Sequence, residues 1–195
     1  MIIVPIGVDC WGADFLKKFN LRTISFPFDW NVSYNGVSKC IDDDFKLFTE
    51  PLNDRLNQYD IFFHHDFVTD DLEVINETKE KYIRRYKRLI NILETSEEEV
   101  IFFRKGHNSC HHSEQNGKYN NITNDIEDAE KLDIILSNKY PQLKYKIIVI
   151  VICHICFNPH EIYKSNSDKI QIYNLVSPDL FYIHFEHLCR NIFNV

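Results

Sequence analysis

The apolar run from residue 145 to residue 152 constrains the fold of this chain more than any other segment, because Lys146 is the only charged residue in it. Its length is typical of a β-strand, and a strand without polar alternation is typical of a parallel sheet covered on both faces. Shorter apolar runs at residues 2–6 and 100–103 indicate further strands of this kind. We therefore expect a parallel sheet packed between helices.

Two longer segments have the spacing of amphipathic helices. Apolar residues recur at steps of three and four between Leu72 and Leu93, and Asp70 and Asp71 are suited to cap the start of this helix. A second helix is predicted from about residue 125 to residue 140. The other predicted elements are strands at 59–63 and 169–173 and helices at 34–48 and 179–193.

Strands and helices alternate along the chain, which favours parallel strands joined by crossover helices. A length of 195 residues is enough for one sizeable core and short for two. We therefore predict an α/β fold: a single three-layer domain over residues 1–195 with a mainly parallel central sheet.

Charge and composition argue against several classes of protein. The net charge of −7 and the lack of a dense basic stripe argue against nucleic-acid binding. No apolar run reaches the ~18 residues needed to span a bilayer, so we expect no membrane span. The sequence contains neither a Walker A nor a G-x-G-x-x-G motif, and we predict no cofactor.

The cysteines and the N-terminal residues favour a cytoplasmic location. Six cysteines are dispersed along the chain, which is typical of free thiols in a reducing compartment rather than of a disulfide framework. Met1 is followed directly by an apolar strand without a basic segment, so we expect no cleaved signal peptide.

Cys10 lies between the first predicted strand and a helix that carries Leu16 and Phe19 on one face. This position at a helix N-terminus favours a thiolate, because the unpaired backbone N–H groups and the helix dipole attract negative charge. The same N–H groups are suited to stabilise an oxyanion on a substrate carbonyl. The alternative is that Cys10 packs in the core, as most free cysteines do.

Further polar residues follow the other predicted strands, and ligands of an open parallel sheet bind beyond the carboxyl ends of its strands. His65 and Asp66 are the best base and orienting acid that the chain offers to a cysteine nucleophile. Because neighbouring strand residues point to opposite faces, Asp66 has a second possible partner in Arg104 or the backbone. We expect Asp9 and Arg104 to contact substrate.

A zinc site is the competing chemistry. Cys153 and Cys156 have C-x-x-C spacing and His160 follows, but no second such pair completes a tetrahedral site. The alternative is that both cysteines end a buried strand, and we predict no metal. Another cluster, Cys110-His111-His112, lies in a long polar segment at 106–124 that is interpreted as a loop or flap.

Four segments, in their order and spacing, resemble the family of papain-like cysteine peptidases, a domain of unknown function found in bacteria and some large DNA viruses. The block Pro27-Phe28-Asp29-Trp30, placed about twenty residues after Cys10, is the most specific of them. The resemblance extends over roughly residues 1–152. The four segments are residues 7–10, 21–30, 63–67, and the helix at 82–86 with the strand at 100–104.

The resemblance implies a cysteine-dependent hydrolase or acyltransferase that acts on a peptide or another acyl-containing substrate. Cys10 would be the nucleophile, His65 the base, and Asp66 or Asp29 the acid that orients the imidazole. The family name also implies an alternative fold, a papain-like α+β arrangement of a helix on an antiparallel barrel.

The sequence leaves open the roles of several other residues and a competing function. Trp11 and Trp30 are expected to line the substrate pocket, whereas Asp29 has the alternative of capping local backbone. The turn at Cys10 is also similar, more weakly, to cysteine-bearing relatives of GDSL-type hydrolases, for which His184 and His187 would be candidate bases. A non-catalytic binding protein of the same fold is the competing function; in a viral member it would be a host-interaction factor in the host cytoplasm.

Overall fold

The computed structural model describes residues 1–33, 35–50, 52–108, 122–153, 164–176 and 181–195. Some residues at the edges of these ranges are described by their backbone only. The elements in chain order are β1 (Ile2–Pro5), α1 (Trp11–Lys18), β2 (Val32–Ser33), α2 (Val37–Asp42), β3 (Ile61–Phe62), α3 (Leu72–Thr95), β4 (Val100–Asn108), α4 (Ile122–Lys139), β5 (Tyr145–Cys153), β6 (Ile170–Val176) and α5 (Phe181–Phe193).

The central sheet has four strands in the order β1-β4-β5-β6. Every neighbouring pair is parallel, with Pro5 beside Phe103 and Phe103 beside Ile148. This confirms the predicted α/β fold with a mainly parallel sheet. The α+β arrangement on an antiparallel barrel, expected as the alternative, is not the fold that the structure shows.

Side chains on alternating strand positions divide into two apolar clusters, one on each face of the sheet. Ile101 and Phe103 of β4 pack with Phe15 and Leu16 of α1 and with α5. Phe102, which lies between them in sequence, faces the opposite cluster, with α3 and α4. Both faces are covered, which explains why β5 is apolar at nearly every position.

The two long helices lie close to their predicted positions. In α3, the Asp71 side chain accepts hydrogen bonds from the backbone N–H groups of Glu73 and Val74, so Asp71 is the N-cap. Helix α4 begins about three residues before the predicted start. Helix α2 is much shorter than the predicted 34–48, because Asp44 and Phe45 adopt positive φ angles of 51° and 59° that a helix does not accommodate.

The expected strand at 59–63 does not join the parallel sheet. Only Ile61–Phe62 is a strand, and it pairs antiparallel with β2 in a separate two-stranded sheet. The positive φ of 60° at Asp60 turns the chain just before this strand. The prediction that His65 follows a strand of the central sheet is therefore wrong, because strand pairing depends on distant segments that local residue preferences do not reveal.

No helix in the described ranges has the length and apolar content needed to cross a membrane.

Candidate active site

Cys10 lies at the carboxyl edge of the central sheet, at the start of α1. Pairing between the first strand and β4 continues past Pro5, since the Lys105 N–H donates to the Gly7 carbonyl and the Val8 N–H donates to the Lys105 carbonyl. The chain then turns, and Cys10 is the N-cap residue of α1. The predicted place of Cys10 at a helix N-terminus is therefore confirmed.

The turn before Cys10 requires glycine at position 7. Gly7 has a φ of 104°, and a Cβ atom added there would lie 2.8 Å from the Ser33 Cβ and 3.1 Å from Nη1 of Arg104. The Ser33 N–H donates to the Val8 carbonyl over 2.8 Å. Strand β2 and the Arg104 side chain thus hold the backbone that presents Cys10.

The surroundings of Cys10 favour the thiol over the thiolate. Partial burial raises the pKa of the Cys10 thiol above its ordinary value, and the carboxylates of Asp9 and Asp14 raise it further. Lys105 acts in the opposite direction and lowers this pKa, but not enough to reverse the shift. The helix N-terminus alone therefore does not produce the thiolate that the sequence led us to expect.

Asp9 is bound within the turn in this structure. One carboxylate oxygen accepts a hydrogen bond from the Trp11 N–H over 3.0 Å, and the other forms an ion pair with Lys105. Lys105 is 6% exposed. Its side chain was missed as a site residue, although it follows Phe103 by two positions and so shares the face on which α1 packs.

His65 lies three residues after β3, a strand that packs against the Cys10 turn through Phe62 and Val8. Val8 packs with Val32 and Phe62, and the ring of His64 lies 6.0 Å from that of Phe62. The His64 and His65 rings are 4.7 Å apart, and both residues are exposed. In the described part of the chain, no hydrogen bond joins Cys10 to an imidazole, so the role of His65 as base stays a prediction.

Asp66 is bound to α3 rather than to His65. Its carboxylate accepts hydrogen bonds from Lys81 over 2.6 Å and from the Tyr82 hydroxyl over 2.7 Å. Burial alone would raise the pKa of Asp66, but these hydrogen bonds outweigh it and the pKa is lowered. Asp66 thus anchors the segment that carries His65.

Asp29 is fully buried and forms an ion pair with Arg22. The Phe26 N–H donates to the same carboxylate oxygen over 3.0 Å, while the other oxygen has no hydrogen-bond partner in the described structure. Burial raises the pKa of Asp29 to about 6, although Arg22 and the Phe26 N–H lower it. The Trp30 ring lies 5.9 Å from the Arg22 guanidinium. These contacts place Asp29 with Arg22 and not with His65.

The block around Asp29 supports the Cys10 turn through two polar side chains that sequence reasoning missed. The Asn31 side-chain amide donates to the Pro27 carbonyl over 2.7 Å, and the Ser33 hydroxyl donates to the Asn31 side chain over 2.9 Å. Because Ser33 also binds the Val8 carbonyl, the block and the turn form one hydrogen-bonded unit.

Arg104 points into the core on the α4 side of the sheet and is 1% exposed. Its guanidinium lies 2.5 Å from the Asp125 carboxylate and donates to the Ile6 carbonyl over 2.9 Å. In the structure it therefore braces the first strand against α4, and its predicted contact with substrate stays a prediction.

A groove of about 510 Å³ runs between α1 and α5 and begins beside the Cys10 turn. The rings of Trp11 and Tyr182 stack 4.1 Å apart on its wall, and Phe15 and Phe185 also line it. Asp14, whose charge acts on Cys10, borders the same groove. Its volume is in the range of small-ligand sites.

Among the side chains that the structure describes, no group of three or more His, Cys, Asp or Glu could hold a metal ion. The cluster Cys110-His111-His112 and the residues Cys156 and His160 lie outside the described residues, as does the side chain of Cys153. The zinc alternative is therefore not addressed by the structure.

A family model described as "Putative papain-like cysteine peptidase (DUF1796)" matches residues 1–60 and 54–155. The chain belongs to this family. The match includes β1 to β5 and thus the whole Cys10 turn, in agreement with the resemblance seen in the sequence. Comparison with curated proteins and with solved structures gave no significant match.

Proposed function

We propose that this family member is a cysteine-dependent hydrolase or acyltransferase that acts on an amide, ester or thioester. The observation that carries the proposal is the place of Cys10, a free and partly exposed thiol at the start of α1 and at the carboxyl edge of a parallel sheet. Ligands of open α/β sheets bind at this edge. The first-turn N–H groups of α1 are suited to hold an oxyanion.

The reaction would proceed through an acyl-enzyme. His65 accepts the thiol proton while the Cys10 sulfur attacks the carbonyl carbon and forms a C–S bond. The leaving amine, alcohol or thiol takes up the proton, and water or another acceptor then cleaves the thioester and restores the thiol. Because no hydrogen bond joins His65 to Cys10 in the described structure, the proposal includes a movement of the segment between β3 and α3 that brings the imidazole to the thiol when substrate binds.

The groove between α1 and α5 favours a substrate whose acyl group or side chain has an apolar surface. Trp11 follows Cys10 directly, and its stacked pair with Tyr182 leaves aromatic surface exposed, with Trp11 38% and Tyr182 58% exposed. Exposed stacked aromatic rings are typical of binding sites for apolar or planar groups. Trp11 is therefore proposed as a substrate-binding residue.

The first test is acyl-enzyme trapping with p-nitrophenyl esters, acyl thioesters and peptide anilides, read by intact mass. We expect a covalent adduct on the wild type and none on Cys10→Ala. The variant His65→Gln should lower turnover by roughly 100-fold or more. His64→Gln is the matched control, because His64 is the exposed neighbour and has no proposed role. Turnover that survives in Cys10→Ala would contradict the proposal.

A binding protein without turnover is the second candidate, and one observation favours it. Burial and two carboxylates raise the pKa of Cys10, whereas a resting nucleophile is normally activated by a lowered pKa. This candidate predicts no acyl adduct with any of the three substrate classes and an alkylation midpoint at or above about pH 8.5. An adduct on Cys10 would exclude it.

A further inference from the structure

The carboxylate of Asp9, the residue before Cys10, forms an ion pair with Lys105 of β4. The backbone of Lys105 forms two hydrogen bonds with the Gly7–Val8 segment, so the position of its Cα atom on β4 is fixed. Its ammonium pairs with Asp9 and lies 5.9 Å from the centre of the Trp11 ring. Lys105 therefore contacts both neighbours of Cys10 in the sequence.

We propose that Lys105 is a positioning residue of this site: its buried ammonium is the cation that stabilises the Cys10 thiolate, and Asp9 is the counter-ion that restrains it at rest. The inference rests on the proposed role of Cys10 as the nucleophile. In this role Lys105 contributes its positive charge and is not the base. The thiol proton leaves to the base or to water.

Burial makes this charge effective. A buried ammonium interacts with nearby charges more strongly than an exposed one, because little water screens it. In the structure Asp9 forms an ion pair with this ammonium. In this proposal, substrate binding that separates Asp9 from Lys105 directs more of the ammonium charge to Cys10 and lowers the pKa of its thiol from the raised resting value.

Charged side chains of the described residues act on Cys10 from the turn, from α1 and from β4. Asp9 lies in the turn, Asp14 on α1 and Lys105 on β4. On α5, Glu186 is paired with Lys18 at 2.6 Å, farther along the groove. Asp14 acts on the thiol without an ion pair to Lys105 in the described structure, so it serves as an internal comparison for Asp9.

The test is the pH dependence of Cys10 alkylation by iodoacetamide, read by peptide mass spectrometry without any substrate. Asp9→Asn should lower the alkylation midpoint and raise the rate at pH 7 by roughly threefold to tenfold, because it releases the Lys105 charge. Lys105→Met should slow alkylation by a similar factor. In the double variant, the acceleration by Asp9→Asn should be largely lost.

Asp14→Asn is the matched control. It also removes a carboxylate near Cys10, and its acceleration should persist in the Lys105→Met background. Equal acceleration by Asp9→Asn with and without Lys105 would overturn the inference. If Lys105→Met does not fold, Lys105→Gln replaces it, and the same comparison of Asp9→Asn with and without the Lys105 charge decides.

The outcome is independent of turnover. A chain that shows these shifts in thiol reactivity but forms no acyl-enzyme contradicts the proposed hydrolase function and supports the role of Lys105. A chain that forms the acyl-enzyme without these shifts contradicts the role of Lys105 alone.

Discussion

Arg104 and Asp29 are buried charged residues near the site, and they differ in how far their partners compensate the charge. Arg104 has its guanidinium bound by Asp125 and by a backbone carbonyl, so its charge is compensated on more than one side. Asp29 uses one oxygen for both Arg22 and Phe26, and its other oxygen has no hydrogen-bond partner in the described structure. A buried carboxylate with one unsatisfied oxygen is costly to ionise.

The first prediction concerns the pH dependence of stability caused by Asp29. Its pKa is about 6 in the folded protein against an ordinary 3.8, so between these values the folded state keeps a proton that the unfolded state loses. The free energy of unfolding should therefore fall as pH rises from 4 to 6, by up to about 3 kcal/mol from this residue. Asp29→Asn should remove this dependence, measured by urea unfolding at pH 4 and pH 7.

Asp66→Asn is the control with the opposite sign. Because hydrogen bonds from Lys81 and Tyr82 lower the pKa of Asp66, its contribution to stability is present at neutral pH and is lost as pH falls through the lowered pKa. A pH dependence that Asp29→Asn leaves unchanged would show that the pKa of Asp29 is the same in the folded and the unfolded protein.

Residue types with the right chemistry were visible in the sequence, but their partners were not. Cys10 at the strand–helix junction follows from local pattern alone. Asp66 binds α3, and Lys105 rather than Arg104 pairs with Asp9, the residue before Cys10. Which residues form pairs depends on the face of a strand that each side chain occupies and on the elements that pack against that face.

At the scale of elements, the helices were predicted best. The 24 residues of α3 show a regular period, and local periodicity is sufficient to define such a helix. Short elements were predicted poorly: β2 was missed, and β3 was assigned to the wrong sheet. A two-residue strand carries almost no local signal, because its hydrogen bonds are all to another segment.

The second prediction concerns the start of α3. Asp71→Ala removes the acceptor for the Glu73 and Val74 N–H groups and should cost about 1 kcal/mol of unfolding free energy. Asp70→Ala is the matched control, since Asp70 is the adjacent carboxylate and is not the cap; its effect should stay within about 0.5 kcal/mol. Equal effects of the two variants in urea unfolding would indicate general electrostatics instead of capping.

At the scale of the whole molecule, the sheet separates two apolar cores, and each core joins different helices to the sheet. One core joins α3 and α4 to the sheet and contains most of the large buried side chains. The other joins α1 and α5 to the sheet beneath the groove beside Cys10. Phe103 belongs to the second core, where its ring lies 5.2 Å from that of Phe193 and 6.4 Å from that of Phe185.

The third prediction concerns this second core. Phe103→Ala should cost about 3 to 5 kcal/mol of unfolding free energy, because it leaves a cavity between the sheet and both helices. Phe103→Leu keeps most of the volume and should cost clearly less, and it provides the measurement if the alanine variant does not fold. Ile134→Ala, at a position 61% exposed on α4, should change stability by less than about 0.5 kcal/mol. A loss below about 1 kcal/mol for Phe103→Ala would contradict the structure.

The sequence by itself determined the fold class, the long helices, the four strands of the central sheet and the place of Cys10. These features follow from the spacing of apolar residues. The spacing within an element indicates whether one or both of its faces are buried.

The tertiary structure alone decided which segments pair and which charges meet. It placed β3 outside the parallel sheet, turned Arg104 into the core, and set Lys105 against Asp9 beside the candidate nucleophile. The physical reason is that strand pairing and ion pairs join residues far apart in sequence, and their energies depend on distances and burial that exist only after the chain has folded.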